Sequence, residues 1–142
     1  MVLPMSEATL LAEMKSQLDR GRSIVIAVNG VIVHMDDGAG IAPALEALDS
    51  GRLEKAIVAD RIIGRAAAAI FAVGGVKKLY AGVLSEGAKK FLEERKIAVE
   101  YGKLTEMIVN RSGSGQCPME TAVKDLNDER KMVETLRKAV AK

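Results

Sequence analysis

The spacing of apolar residues changes period several times along the chain, and each change predicts an element. In "SEATLLAEMKSQLDRG" Leu11, Met14 and Leu18 recur three and four residues apart, Ser6 can cap the start and Gly21 ends the run, which together predict an amphipathic helix. "SIVIAVNGVIVHMDDG" then sets two β-branched runs about Asn29-Gly30, the pair that best tolerates the positive φ values of a two-residue hairpin turn. Such a turn pairs Ile26 with Val33 and Val25 with His34, leaving apolar side chains on both faces of the hairpin. A hairpin covered on both faces belongs in a layered α/β protein.

Further along, the pattern predicts a short helix over residues 41–49, a strand over 56–59 and a longer helix from Asp60 to about Val73, stopped by Gly74-Gly75. A strand over 78–83, a helix begun by Ser85 and carrying Phe91 and Leu92, and a strand over 97–101 follow. This alternation implies parallel strands joined by right-handed crossovers, with the hairpin extending the sheet antiparallel at one side. The expected fold is therefore a mixed five-stranded, three-layer α/β sheet with helices on both faces. The last stretch holds a helical-looking "GKLTEMIVN", a glycine-rich loop, "CPMETAVKD", and a final helix striped by Met132, Val133, Leu136 and Val140. With no linker composition, repeat or low-complexity tract, residues 1–142 read as one domain, 102–142 packing back on the sheet.

Composition narrows the function classes. The 21 basic and 19 acidic residues are scattered, and two tyrosines, two phenylalanines and no tryptophan offer little base-stacking surface, so nucleic acid is not the expected partner. The longest nearly apolar run, residues 66–76, falls short of the roughly 20 residues of a membrane span. The opening "MVLPMSEATLLAEMK" lacks the positive start and apolar stretch of a secretion signal, and one cysteine forms no internal disulfide; a cytoplasmic location is expected.

The element order, together with "KKLYAGVLSEGAKKFLEERKIAVEYG", resembles the cytidine deaminase-like fold. Through "VADRIIGRAAA" and "NRSGSGQCPMETAV" the chain is more similar still to a small prokaryotic family of unknown function assigned to that fold, over most of its length. Zinc deaminases hold their metal by a His or Cys at one helix start, with a catalytic Glu two residues later, and by the cysteines of P-C-x-x-C at the next. Here the resemblance places Asp60 nearest the first position with Ile62 where the glutamate would be, and Ser85 and Ala88 near the cysteines. The "CPME" of residues 117–120 matches in letters only. The resemblance thus implies a deaminase fold without the zinc chemistry; no metal or cofactor is expected.

Several residues can still carry chemistry. Asp60, at a strand end and a helix start, is either a helix cap or part of a ligand crevice. Arg61 and Arg65, one turn apart at that helix start, would oppose the macrodipole; an anionic ligand would relieve this, as would solvent or Glu54. Gly64 suits either a close backbone approach or a packing face with Ala68. Pro118 suits the first helical position, making Cys117 the N-cap and Glu120 its capping-box partner. Cys117 is then either a small structural thiol or a nucleophile activated by the helix, although the lone histidine, His34, is remote in sequence. Gly113 and Gly115 beside Arg111 can turn N–H groups toward an anion or form a simple turn.

The expected site therefore comprises Asp60, Arg61, Arg65, Ser85, Asn110, Arg111, Gly113, Gly115 and Cys117, brought together by the fold that the resemblance implies. Its expected ligand is a nucleotide or another phosphate-bearing small molecule. Two alternatives stay open: an enzyme acting on a nucleotide-like substrate through Asp60 or Cys117, and a ligand-free module for interaction with a partner or for assembly into a homo-oligomer.

Overall fold

In a computed structural model of the chain, which describes residues 6–109, 113 and 115–141, α1 (Glu7–Asp19) begins at Ser6, whose Oγ accepts a hydrogen bond from the Thr9 N–H. The hairpin follows as β1 (Ile24–Val28) and β2 (Val31–Asp36), turning through Asn29 and Gly30 at φ 52° and 79°. Next come α2 (Ala42–Asp49), β3 (Ile57–Ile63), α3 (Arg65–Gly74), β4 (Lys78–Ser85), α4 (Glu86–Glu94) and β5 (Ala98–Thr105). Two helices close the described chain, α5 (Pro118–Ala122) and α6 (Glu129–Val140). The sheet order is β2-β1-β3-β4-β5, with β1 antiparallel to both neighbours and β3, β4 and β5 parallel. This is the mixed five-stranded α/β sheet expected from the sequence.

Each face has its own apolar cluster. On one, Leu10, Leu11, Met14 and Leu18 of α1 cover Val25, Ala27, Ile57 and Ala59. On the other, Ile24, Ile26, Val58, Leu79 and Ala81 meet Ala44 and Leu45 of α2, Ile70 and Phe71 of α3, Phe91 and Leu92 of α4 and Met132, Val133 and Leu136 of α6. Each fully buried large side chain contributes roughly 1.5–3 kcal/mol, so the stripe of α6 alone is ample reason for it to dock. Two arginines fasten the segment before α6. Arg65 donates to the carbonyls of Val123 (2.9 Å) and Leu126, while Arg95 donates to Asn127 O and pairs with Glu129 (3.1 Å).

Several details of the strands differ from expectation. The turn fixes Val28 opposite Val31 and Ala27 opposite Ile32, but the ladder then slips, so Ile26 faces His34 and Val25 faces Met35. The expected pairs Ile26–Val33 and Val25–His34 do not form. Val33 is the residue left over, 52% exposed, and such a bulge twists the outer strand of a sheet. The second difference is that β3 runs on to Ile63, because Asp60 has ladder partners on both sides, Ile24 and Ala81, and these outweigh a helix starting at Asp60. Third, β5 continues to Thr105 along the end of β4, absorbing the start of the segment expected to be helical.

β3, β4 and β5 also share one break. Register runs Asp60–Ala81–Tyr101, resumes at Ile62–Val83–Lys103, and passes over Arg61, Gly82 and Gly102 in a single row. Core-facing residues on β4 are accordingly Leu79, Ala81 and Leu84, a step of two and then of three. The row is possible because backbones approach closely: a Cβ on Gly82 would lie 2.8 Å from the Arg61 carbonyl oxygen, and one on Gly102 3.1 Å from that of Gly82. Gly82→Ala must push two strands apart, and chemical denaturation should show it destabilised by about 1–3 kcal/mol. An unchanged midpoint would mean the row relaxes freely.

Candidate functional site

A cavity of about 780 Å³ opens beyond the end of β3. Its walls come from the loop after β2 (Gly38, Ile41), the end of β3 (Asp60, Arg61, Ile62), the start of α3 (Gly64, Ala66, Ala67), and the C-terminal segment (Ile108, Val109, Cys117, Met119, Glu120). Ligand crevices of open α/β sheets lie at this carboxyl end of the strands.

Asp60 is the acidic group in the β3 wall. Ile24, its antiparallel partner, points into the core on the same face, so the pleat turns Asp60 the same way, where the cavity begins. Its Oδ1 accepts the Ile62 N–H at 3.3 Å. Burial pushes its carboxyl up to about 7, against the opposing pull of the Ile62 and Arg61 N–H groups and the Arg61 charge. Asp60 therefore does not cap a helix. Gly64 occupies the N-cap position of α3, and Asp60 and Arg61 lie on the strand before it.

The start of α3 is closed by a residue from far along the chain. Glu120, only 7% exposed, accepts the Arg65 N–H on Oε1 and the Ala66 N–H on Oε2, both at 2.7 Å. A negative group at a helix N-terminus satisfies orphan donors and complements the dipole, so the carboxylate fills the place where an anionic ligand was expected. Gly64 makes room for it, since a Cβ there would overlap the carboxylate. The expected capping box is therefore absent: Cys117 is the N-cap of α5, but its side chain makes no capping hydrogen bond and Glu120 points away to α3. Two signals in the sequence mark this arrangement. "GRAAAA" begins a helix with no local capping side chain, and Glu120 has no capping hydroxyl to answer it.

The remaining candidates divide. Arg61 is exposed at the cavity wall. Arg65 does not share that wall; it turns to the carbonyls of Val123 and Leu126 and lies 5.8 Å over the Phe91 ring. Ser85, 2% exposed, caps α4 by accepting the Ala88 N–H at 3.0 Å and is not in the cavity lining. Cys117 lines the cavity half-buried, its N–H donating to Ile108 O at 2.8 Å. Gly113 and Gly115 are not among the described lining residues, and Asn110 and Arg111 lie outside the described residues. His34 is on the Ile26 face of β2, its buried Nε2 without a hydrogen-bond partner among the described residues. Also among the described residues, no three His, Cys, Asp or Glu side chains cluster closely enough to hold a metal ion, and no helix is long and apolar enough to cross a membrane.

Residues 13–140 match the family of the domain of unknown function DUF1893. The chain belongs to this family. A crystal structure of a DUF1893 family protein from Thermotoga maritima superposes with a TM-score of 0.86 at 21% identity, covering 98% of this chain and 95% of that one. That likeness concerns the fold. A guanine deaminase from Nitrosomonas europaea aligns at a TM-score of 0.42 and 13% identity, over 100% of this chain and 88% of that one. No curated protein matches the chain. DUF1893 membership agrees with the family resemblance carried by "VADRIIGRAAA" and "NRSGSGQCPMETAV".

Proposed function

We propose that this DUF1893 chain binds a nucleotide or a similar phosphate-bearing small molecule in the cavity beyond β3, ring first, with the phosphate outward. The observation that carries the reading is Asp60, a carboxyl on a mostly apolar wall whose hydrogen bonds come from backbone N–H groups. A carboxyl titrating near neutrality can both donate and accept, which suits the edge of a heterocycle. A volume of about 780 Å³ is within the range of small-molecule sites. Glu120 already occupies the α3 N-terminus, so a phosphate is better placed toward exposed Arg61 than at the helix.

Calorimetric titration with nucleosides and nucleoside monophosphates tests this. Asp60→Asn should weaken both ligands about tenfold, the effect of one altered hydrogen bond in a buried site. Arg61→Ala should weaken the monophosphates alone. No binding by any of them, or equal binding by all three proteins, would overturn the reading.

The same carboxyl favours a second reading, in which Asp60 acts as general acid or base on a bound nucleotide-like substrate, with Cys117 as a further wall residue. Asp60→Asn should then abolish conversion of a bound nucleotide while binding survives. Absence of any conversion by the wild type removes this version and leaves the binding reading intact.

A further inference from the structure

The outer edge of β5 ends the sheet, and among the described residues no strand pairs with it. It is eight residues long, mostly exposed and free of proline, with Tyr101 and Leu104 at 39% and 37% exposure. A strand of this kind offers a row of N–H and C=O groups to another chain unless its side chains forbid pairing. One lysine, Lys103, stands on it, and a lysine discourages self-pairing when it must meet another lysine.

The side chains of β5 match those of a second copy in one antiparallel register. Parallel neighbours share a face, so Val99 and Leu104, beside the core residues Leu79 and Leu84, lie on the α3 and α4 side of the sheet. Glu100 is beside Tyr80, which packs on the α1 cluster, and Lys103 is beside Val83, one residue before Leu84; these two lie on the other side. Folding the strand about the midpoint of Tyr101 and Gly102 sets Val99 against Leu104 and Glu100 against Lys103, each pair on one face. In a regular strand this register would put paired residues on opposite faces. The break at Gly102 removes that obstacle by shifting the alternation one residue at the centre of the pairing. Tyr101 would fall against Gly102, the cover an aromatic gives to an edge glycine.

We propose that two copies of this chain form a symmetric dimer through β5, antiparallel, with Glu100 of each facing Lys103 of the other and a continuous sheet of twice five strands. The Glu100 carboxylate already sits 3.1 Å from Lys78 Nζ of its own chain, which holds it beside the strand. A register slipped by two residues in either direction separates Glu100 from Lys103 and loses the charge match. The second copy is favoured over an unrelated strand because the complementarity is internal to β5.

Sedimentation velocity on the full chain over a wide concentration range tests this, with circular dichroism to confirm folding. Wild type should form a dimer that weakens with salt. Lys103→Glu and Glu100→Lys, each placing like charges opposite one another, should each weaken it about tenfold or more, and the double swap should restore it. A wild type that stays monomeric overturns the proposal. So does a dimer indifferent to the single reversals, or a double swap that stays as weak as they are.

Discussion

Glu120→Ala should lower the stability of the protein by about 3 kcal/mol, read as the change in unfolding free energy from urea titration at neutral pH. Two charge-assisted hydrogen bonds of 2.7 Å disappear, and the N–H groups of Arg65 and Ala66 lose the partner that closes α3. Hydrogen bonds to charged groups contribute roughly 1.5–3 kcal/mol each, and water entering from the cavity recovers part of the loss. Glu120→Gln, with one acceptor oxygen in place of two and no charge, should lose about half as much. The pocket of space at Gly64 supplies an internal control. Gly64→Ala drives a Cβ into the carboxylate and should cost about 2 kcal/mol or more in the wild type, yet little when Glu120 is already alanine. A double-mutant cycle should therefore give a coupling above about 1 kcal/mol. Additive effects would mean that the two residues do not meet as described.

The second large effect concerns pH. A carboxyl raised from 3.8 to about 7 in the folded protein keeps its proton where the unfolded chain has released it. Between these values the folded state binds more protons than the unfolded one, so the contribution of Asp60 to stability falls as pH rises from about 4 to about 7 and is level above that. Because the side chain retains some exposure along the cavity, water offsets part of the burial, and roughly 2 kcal/mol is expected over the window. Asp60→Asn carries no titrating group at this site. The difference in unfolding free energy between the two proteins should therefore move in the variant's favour as pH is raised through that range. Parallel curves would show that Asp60 ionises normally.

Local chemistry made much of the fold legible. Ser6 and Ser85 cap their helices, Asn29-Gly30 turns the hairpin, Gly75 ends α3 at φ 80°, and the apolar stripe of residues 132–136 docks α6. Strand ends were harder to read, because their limits depend on neighbours. Asp60 and Arg61 look like the polar exit of a strand until the partners Ile24 and Ala81 are counted. Of the candidate site, Asp60, Arg61 and Cys117 could be picked out as residue types at suggestive positions, and all three line the cavity. Its apolar wall, with Ile41, Ile108 and Met119, could not, since nothing in those residues separates a cavity wall from a core. Arg65, expected beside an anionic ligand, and Glu120, expected in a capping box with Cys117, both do something else. The arginine holds carbonyls and the glutamate meets the helix, through contacts 54 to 61 positions apart along the chain.

The break at Arg61, Gly82 and Gly102 also makes the three parallel strands a single unit of length. Deleting one residue ahead of Arg61 would bring Ile63 to the outward position of Ile62, and Gly82 would no longer lie beside the Arg61 carbonyl it admits. Sheet length in this protein can change only if all three strands change in step. An insertion in the connections around Gly75 or Lys96 would leave both this break and the lining of the cavity unaltered.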